Sequence, residues 1–413
     1  MTDELQRWLK ESALPLRSLD VEASDNDLEP LRHVLDDVRV LGMGEATHGT
    51  AEFFRLKHRL LGFLVREMGF TTLAMEAGAS AARAVDDYVV NGTGNAADAL
   101  AGLGFWTWRT HEMLAVVEWM RAHNRTAPPE RVVRFVGIDP QRCAHSLAVL
   151  RELLPIVAPE QAGILDGPHG APADAGPGAG AADGRRALDE ARELLRFLEE
   201  HRTEIAGRVG GKTVDRALWH VRAVVAVADV AHRPLRAGTG EAGALATRDR
   251  YMAQAVISLE ERSAGGVAVW AHNGHVSADH YAADVPAMGQ HLRKRYGERY
   301  YALGLLFGEG TFRARPGNSA TRPPREHRIS AAGPRSVEAR LAAVTPEDHL
   351  VDLRAGRALP AVGQWLDEQQ FVRSFGAAVP RVTYRFHMTP TVLGRTFDGL
   401  AYVASSTPSE PLP

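Results

Sequence analysis

The stretch Gly42-Met43-Gly44-Glu45-Ala46-Thr47-His48-Gly49 decides how the rest of the chain is read. The apolar run 38–41 leads into it. From Thr50 onward, Phe53, Phe54, Leu56, Leu60, Leu61 and Leu64 recur at helical spacing. This order predicts a strand, a tight glycine-rich turn and a helix. Glu45 and His48 then sit at the carboxyl end of a strand, where open α/β sheets bind their ligands. Helix N–H groups close by would favour an ionised Glu45. The bland alternative is a glycine turn whose glutamate only caps the helix.

Working outward, three more apolar runs end in the same way. Residues 71–75 run into Glu76, residues 132–138 into Asp139-Pro140, and residues 267–270 into Ala271-His272-Asn273-Gly274-His275. Helical segments separate them, so the strands are expected to lie parallel with these ends along one edge. The predicted fold is a three-layer α/β/α arrangement around a central, mostly parallel sheet. Later strands are expected at 300–307, 350–353 and 400–404, and two helices within 2–36, the second opening at Asp25-Asn26-Asp27. The catalytic core then comprises 1–140 and 263–404. Residues 141–262 have helical periodicity and no strand, which predicts an inserted helical lobe able to roof the site. Within it, the Gly/Ala/Pro-rich stretch 155–184 is expected to be a mobile loop. The polar, Pro-rich tail 405–413 is expected to be disordered.

Composition narrows the class. The chain has 413 residues, 45% hydrophobic and 24% charged, with net charge −3, as in soluble globular proteins. This balance gives no reason to expect nucleic acid or an anionic membrane as a partner. No run reaches the length of a membrane span, and the charged amino terminus lacks a signal-peptide core. Cys143 is the one cysteine, which excludes an internal disulfide and suits a reducing, cytoplasmic location.

The residues at the strand ends suit acid–base chemistry. A histidine takes a proton from water, and a neighbouring carboxylate fixes its tautomer and stabilises the imidazolium. Two carboxylates in one pocket push their pKa values apart. His272 and His275 could protonate a leaving oxygen or hold an oxyanion. Trp106 and Trp108 could wall an apolar cleft. Arg55 and Lys57, in the first turns of the helix after the motif, could approach a substrate, as could Asp139 and Asn273. Two glutamates and three histidines are adequate metal ligands, but His272-x-x-His275 lies on a turn and no H-E-x-x-H pattern is present. The expectation is therefore activity without metal or cofactor. Residues 207–213 resemble a P-loop but are one residue short and follow a helix. Residues 78–82 miss the last glycine of a nucleophile elbow.

Taken together, GEATHG, EFFRLKHRL, GFTTLAMEA, FWTWRTHEM, VRFVGIDPQ, RDRYMAQ and VWAHNGHV resemble the erythromycin esterase family in order and spacing. The resemblance runs from about Val38 to Gly308, and more weakly to Phe397-Asp398-Gly399. It implies an α/β/α fold with a helical lobe and a cleft in which macrolide lactones are hydrolysed. It further implies His48 as general base with Glu45 as its companion, Glu76 as the second carboxylate, and His272 and His275 as supporting imidazoles. Gln254 stands where the family often has Asn. The expected reaction is hydrolysis of a neutral or cationic, polyketide-sized ester, foremost a macrolactone. The same pocket would also serve a tailoring enzyme that dehydrates, adds to or cyclises a natural product. A non-catalytic ligand-binding protein is a third reading, disfavoured because a pure binder has no need of paired acid–base groups.

Overall fold

The computed structural model describes residues 3–166, 182–235, 243–281, 285–317 and 322–413. Its first five strands are β1 (Ala13–Pro15), β2 (Val40–Met43), β3 (Phe70–Gly78), β4 (Arg134–Asp139) and β5 (Gly266–Trp270). In the main sheet β2, β5, β3 and β4 are successive parallel neighbours. On the other side of β2 lies the long strand Tyr300–Pro316, also parallel, and then Gly399–Ser406. The antiparallel strands His349–Asp352 and β1 complete that flank.

Alternation along these strands explains the layers. Leu41, Met43, Leu73, Met75, Ala268 and Trp270 enter one apolar cluster, while Val40, Ala74, Val267 and Val269 enter another. Successive side chains point to opposite faces, so a strand covered on both sides reads as an unbroken apolar run. The first face is covered by helices Ala51–Met68, Ala82–Asn91 and His111–Asn124. The second is covered by Asp3–Ser12, Ala244–Glu260 and Met288–Tyr296. This is the expected α/β/α sandwich. Helix Ala51–Met68 is closed by Gly69, whose φ of 72° lets its N–H reach Leu64 O. Its inward Phe53, Phe54, Leu60 and Leu61 are buried; each contributes about 1.5–3 kcal/mol at most.

The insertion differs in detail from its expected form. Helices Ala144–Val157, Ala182–Glu200, Arg202–Val209 and Gly211–His232 share a third apolar cluster of their own. Helix Ala244–Glu260 does not join it; Met252, Ala253 and Val256 pack in the cluster on the sheet. Of the expected loop 155–184, residues 155–157 finish a helix and Pro159–Asp166 form 3-10 turns. The remainder up to the helix at Ala182 lies outside the described residues. Near the amino terminus, the second expected helix is a 3-10 turn at Asp25–Asp27 followed by the short helix Leu31–Val34.

The expectation of a disordered tail is corrected. Ser406 ends a sheet strand, and the chain then crosses the starts of two helices. Ala51 N–H donates to Thr407 O and His111 N–H to Glu410 O, so tail carbonyls satisfy donors that helix starts leave unpaired. Ser409 N–H donates to Gly49 O, and Leu412 is buried. Backbone pairing holds this segment, which is why its polar side chains gave no sign of it. Among the described residues no helix is long and apolar enough to cross a membrane.

Candidate active site

The turn after β2 is compact because two glycines allow close backbone approach. A methyl group on Gly44 would stand 2.1 Å from Asn273 Oδ1, and one on Gly49 would stand 2.1 Å from Arg313 O. Ala46 O accepts Phe375 N–H at 2.6 Å, and Glu45 O accepts Asn273 N–H at 2.9 Å. The turn is thus tied to the end of β5 and to the 375–377 segment.

Within it, His48 Nδ1 lies 2.6 Å from Glu45 Oε1, and Lys57 Nζ donates to Glu45 Oε2 at 2.6 Å. Glu45 and Lys57 have fully buried side chains, whereas His48 keeps 11% of its own exposed. Burial opposes the charge on Glu45, but Lys57 and His48 outweigh it and hold the carboxyl below its ordinary pKa. Burial lowers the Lys57 pKa to about 8 against the pull of Glu45. Lys57 is therefore the counterion of Glu45 and, being buried, does not border the cleft, which corrects its expected role. Both Glu45 oxygens are held by side chains, and the Ala51 N–H of the helix start is taken by Thr407 O. No hydrogen bond to His48 Nε2 is formed among the described residues, and the ring borders a cleft.

A second cluster centres on Arg248. Its Nε and Nη2 donate to the two oxygens of Asp139, each at 2.8 Å. Nη2 also donates to Glu76 Oε1 at 2.7 Å, and Nη1 lies 2.8 Å from His275 Nε2. The other Glu76 oxygen accepts His272 N–H at 2.8 Å. Burial raises the Glu76 pKa, but His275 and Arg248 dominate and hold it well below the usual carboxylate range. His275 Nδ1 lies 2.8 and 3.0 Å from the oxygens of Asp249. Burial disfavours an imidazolium here, while Asp249 and Glu76 pull the His275 pKa well up. Arg248 can only donate, so a hydrogen bond from Nη1 needs the Nε2 lone pair and a neutral ring, which opposes the direction set by the two carboxylates. In either state Nδ1–H is donated to Asp249.

His272 is held as firmly. Nε2 donates to Phe375 O at 3.0 Å, while Nδ1 accepts Gly274 N–H at 3.1 Å. Burial, reinforced by His48, lowers its pKa to about 3, so the ring is neutral. Both nitrogens are engaged, which leaves no ring proton for a leaving oxygen. Asn273 clamps the strand Tyr300–Pro316 through Leu305 O and Leu305 N–H and does not border the cleft. Arg55 is exposed and lies away from it.

The cleft has a volume of about 300 Å³, at the small end for ligand sites. It is bordered by His48, Glu76, Asp139, His272 and His275, as the strand ends implied, and by Phe105, Trp106 and Trp108. Trp108 Nε1 donates to Glu76 O at 3.1 Å, and its ring meets that of His48 edge-on at 5.8 Å. Of residues 141–262 the cleft takes Gln141, Arg142 and Arg248, all polar. The apolar wall expected from the insertion comes instead from the 105–108 segment. Among the described residues no group of three or more His, Cys, Asp or Glu side chains is placed to hold a metal ion. All four oxygens of Glu45 and Glu76 already accept hydrogen bonds or pair with His48. Arg248 and Asp249 were not singled out from the sequence, although both stand in the RDRYMAQ motif.

The sequence profile described as erythromycin esterase matches residues 65–406. The chain belongs to the erythromycin esterase family. That span includes Glu76, Arg248, His272 and His275 and begins downstream of Glu45 and His48. Over 336 residues the chain is 24% identical to erythromycin esterase type II of Escherichia coli, covering 74% of this chain and 77% of that protein. The crystal structure of a Bacillus cereus protein superposes with a TM-score of 0.84 at 25% identity, over 100% of both chains. An erythromycin esterase variant in its open conformation shares the fold, with a TM-score of 0.72 at 19% identity, over 97% of this chain and 99% of that one. Family membership places the chain among esterase-like hydrolases.

Proposed function

We propose that the protein hydrolyses a carboxylic ester, with His48 as general base. The observation that carries this reading is the fixed imidazole: Nδ1 is held by the ionised, buried Glu45, and Nε2 is left towards the cleft. Nε2 takes a proton from water, the resulting hydroxide adds to the ester carbonyl, and Glu45 stabilises the imidazolium. His48 then returns the proton to the departing alkoxide, so that one water is consumed and an acid and an alcohol are released. Arg248 has five N–H donors and uses four. Its permanent charge in the cleft wall favours the negative charge that develops on the carbonyl oxygen. Glu76 and Asp139 act indirectly, by holding Arg248, and His272 and His275 brace the same wall.

Solvent access favours hydrolysis over dehydration or cyclisation, which call for a site that excludes water. His48 is reached by solvent and the cleft is open. The Escherichia coli relative's name makes erythromycin the first macrolactone to try. The test is mass spectrometry of a panel of macrolides and simple esters after incubation with the wild type and with His48→Asn. A macrolide product heavier by one water, or the acid and alcohol of a simple ester, formed by the wild type alone, supports the reading. Loss of water or an isomer of equal mass would replace it with the tailoring alternative.

A further inference from the structure

The wall of the cleft holds arginine beyond Arg248. Its two carboxylates, Glu76 and Asp139, are both engaged by Arg248. A second arginine, Arg315, borders the same cleft from near the end of strand Tyr300–Pro316. Its backbone N–H is tied to Ala377 O at 2.9 Å, which fixes where the side chain starts. Its Nε is buried with no hydrogen-bond partner, and its guanidinium forms no ion pair among the described residues. Arg59 and Arg293 also have an unpaired Nε, but both are ion-paired through their other nitrogens; Arg315 differs in bordering the cleft without an ion pair among the described residues, within reach of an incoming acceptor. Arg142 also borders the cleft, with its guanidinium 4.7 Å from the Phe105 ring.

We infer that the ester accepted by this cleft carries an anionic group, a carboxylate or a phosphate, which docks on Arg315. The inference rests on the hydrolase reading and narrows its substrate class. A planar guanidinium presents parallel N–H donors that match the oxygens of such a group. The low polarity of Phe105, Trp106 and Trp108 strengthens the attraction.

The test compares three para-nitrophenyl esters of equal chain length, ending in a methyl, a carboxylate or a phosphonate. The readout is the ratio of kcat/KM for each charged ester to that for the neutral one. Wild-type enzyme should favour at least one charged ester by about 10-fold or more, the scale of hydrogen bonds to a charged group. Arg315→Met should bring the ratio close to one, and Arg315→Lys should restore part of it. Arg315→Gln serves if circular dichroism shows that Arg315→Met is unfolded. A wild-type ratio near one, or a ratio unaltered in the folded variants, overturns the inference. Which charged ester is preferred separates carboxylate from phosphate. Should the wild type hydrolyse none of the three, the macrolide panel still judges the His48 reading separately. The matching unreactive anilides then decide the anion site, through quenching of Trp106 and Trp108 fluorescence. Tighter binding of a charged anilide, weakened about 10-fold or more in Arg315→Met, upholds it; equal or absent binding defeats it.

Discussion

Replacing Lys57 with methionine removes one charge and keeps most of the aliphatic stem beside Trp270, whose ring centre is 4.5 Å from Nζ. In the wild type Nζ donates to Glu45 Oε2 at 2.6 Å, with both side chains fully buried. The variant leaves Glu45 with His48 as its remaining side-chain partner. Removing one member of a buried pair costs about 3–5 kcal/mol, because the other charge is left without compensation. Glu45 can relieve part of this by binding a proton. Burial already pushes its pKa up and Lys57 is the largest opposing influence, so loss of Lys57 moves the pKa upward. Above the shifted pKa the variant carries the whole destabilisation; below it Glu45 is neutral and the gap to the wild type narrows. A neutral Glu45 no longer supports an imidazolium on His48, so the acid limb of kcat/KM should move to higher pH. Urea unfolding at several pH values measures the first effect, and pH–rate profiles measure the second. Lys57→Met/Glu45→Gln, which leaves no buried charge in this pair, should regain at least half of the lost stability. A loss below about 1 kcal/mol in the single variant, within the range of an ordinary substitution, would refute the reasoning. So would a double variant no more stable than the single one.

Three further outcomes are expected. His48→Asn should keep the wild-type circular dichroism spectrum and lower kcat by about 10²–10⁴, the scale of general-base loss; near-normal turnover in the folded variant would remove His48 from the reaction. Burial lowers the pKa of His272 and His220 to about 3 and that of His58 to about 4, from an ordinary 6.5. Their neutral rings therefore contribute stability that is complete above 6.5 and is lost as pH falls towards those values. The depressed carboxyls of Glu45 and Glu76 act in the same direction at lower pH. The urea midpoint should fall steadily on acidification below about pH 6.5, and a constant midpoint down to about pH 4 would contradict this. Activity should survive exhaustive chelation, because the oxygens of Glu45 and Glu76 are already occupied within the protein. Stoichiometric metal, with activity lost on chelation and restored by the ion, would show the opposite.

The sheet was legible because both of its faces are buried and each core strand is an unbroken apolar run with a polar residue at its end. That pattern alone puts Glu45, Glu76, Asp139 and His272 along one edge. Burial on helices was harder to read. Arg55 and Lys57 are two residues apart, about 200° around a helix, so one faces water while the other points inward. Hydrophobic spacing alone did not separate them, since a buried lysine looks like a solvated one until its partner is known. Arg248 and Asp249 were obscured for a related reason. They lie on the helix that returns from the insertion, and only the packing of Met252 and Val256 on the sheet brings them to the strand ends.

The segment after Ser406 also fixes an order of events in the life of the chain. Thr407 bonds to Glu52 across a separation of 355 residues, and its carbonyl closes the start of the helix that follows His48. At ~5–20 residues per second, a ribosome needs on the order of 20–70 s to make the chain between those two partners. Throughout that interval the turn bearing Glu45 and His48 exists without its latch, and so does the helix beginning at His111. The surrounding sheet is completed by Gly399–Ser406 only just before the latch itself arrives. Nascent chains stalled before Thr407 should therefore expose both helix starts to proteases that the finished protein resists.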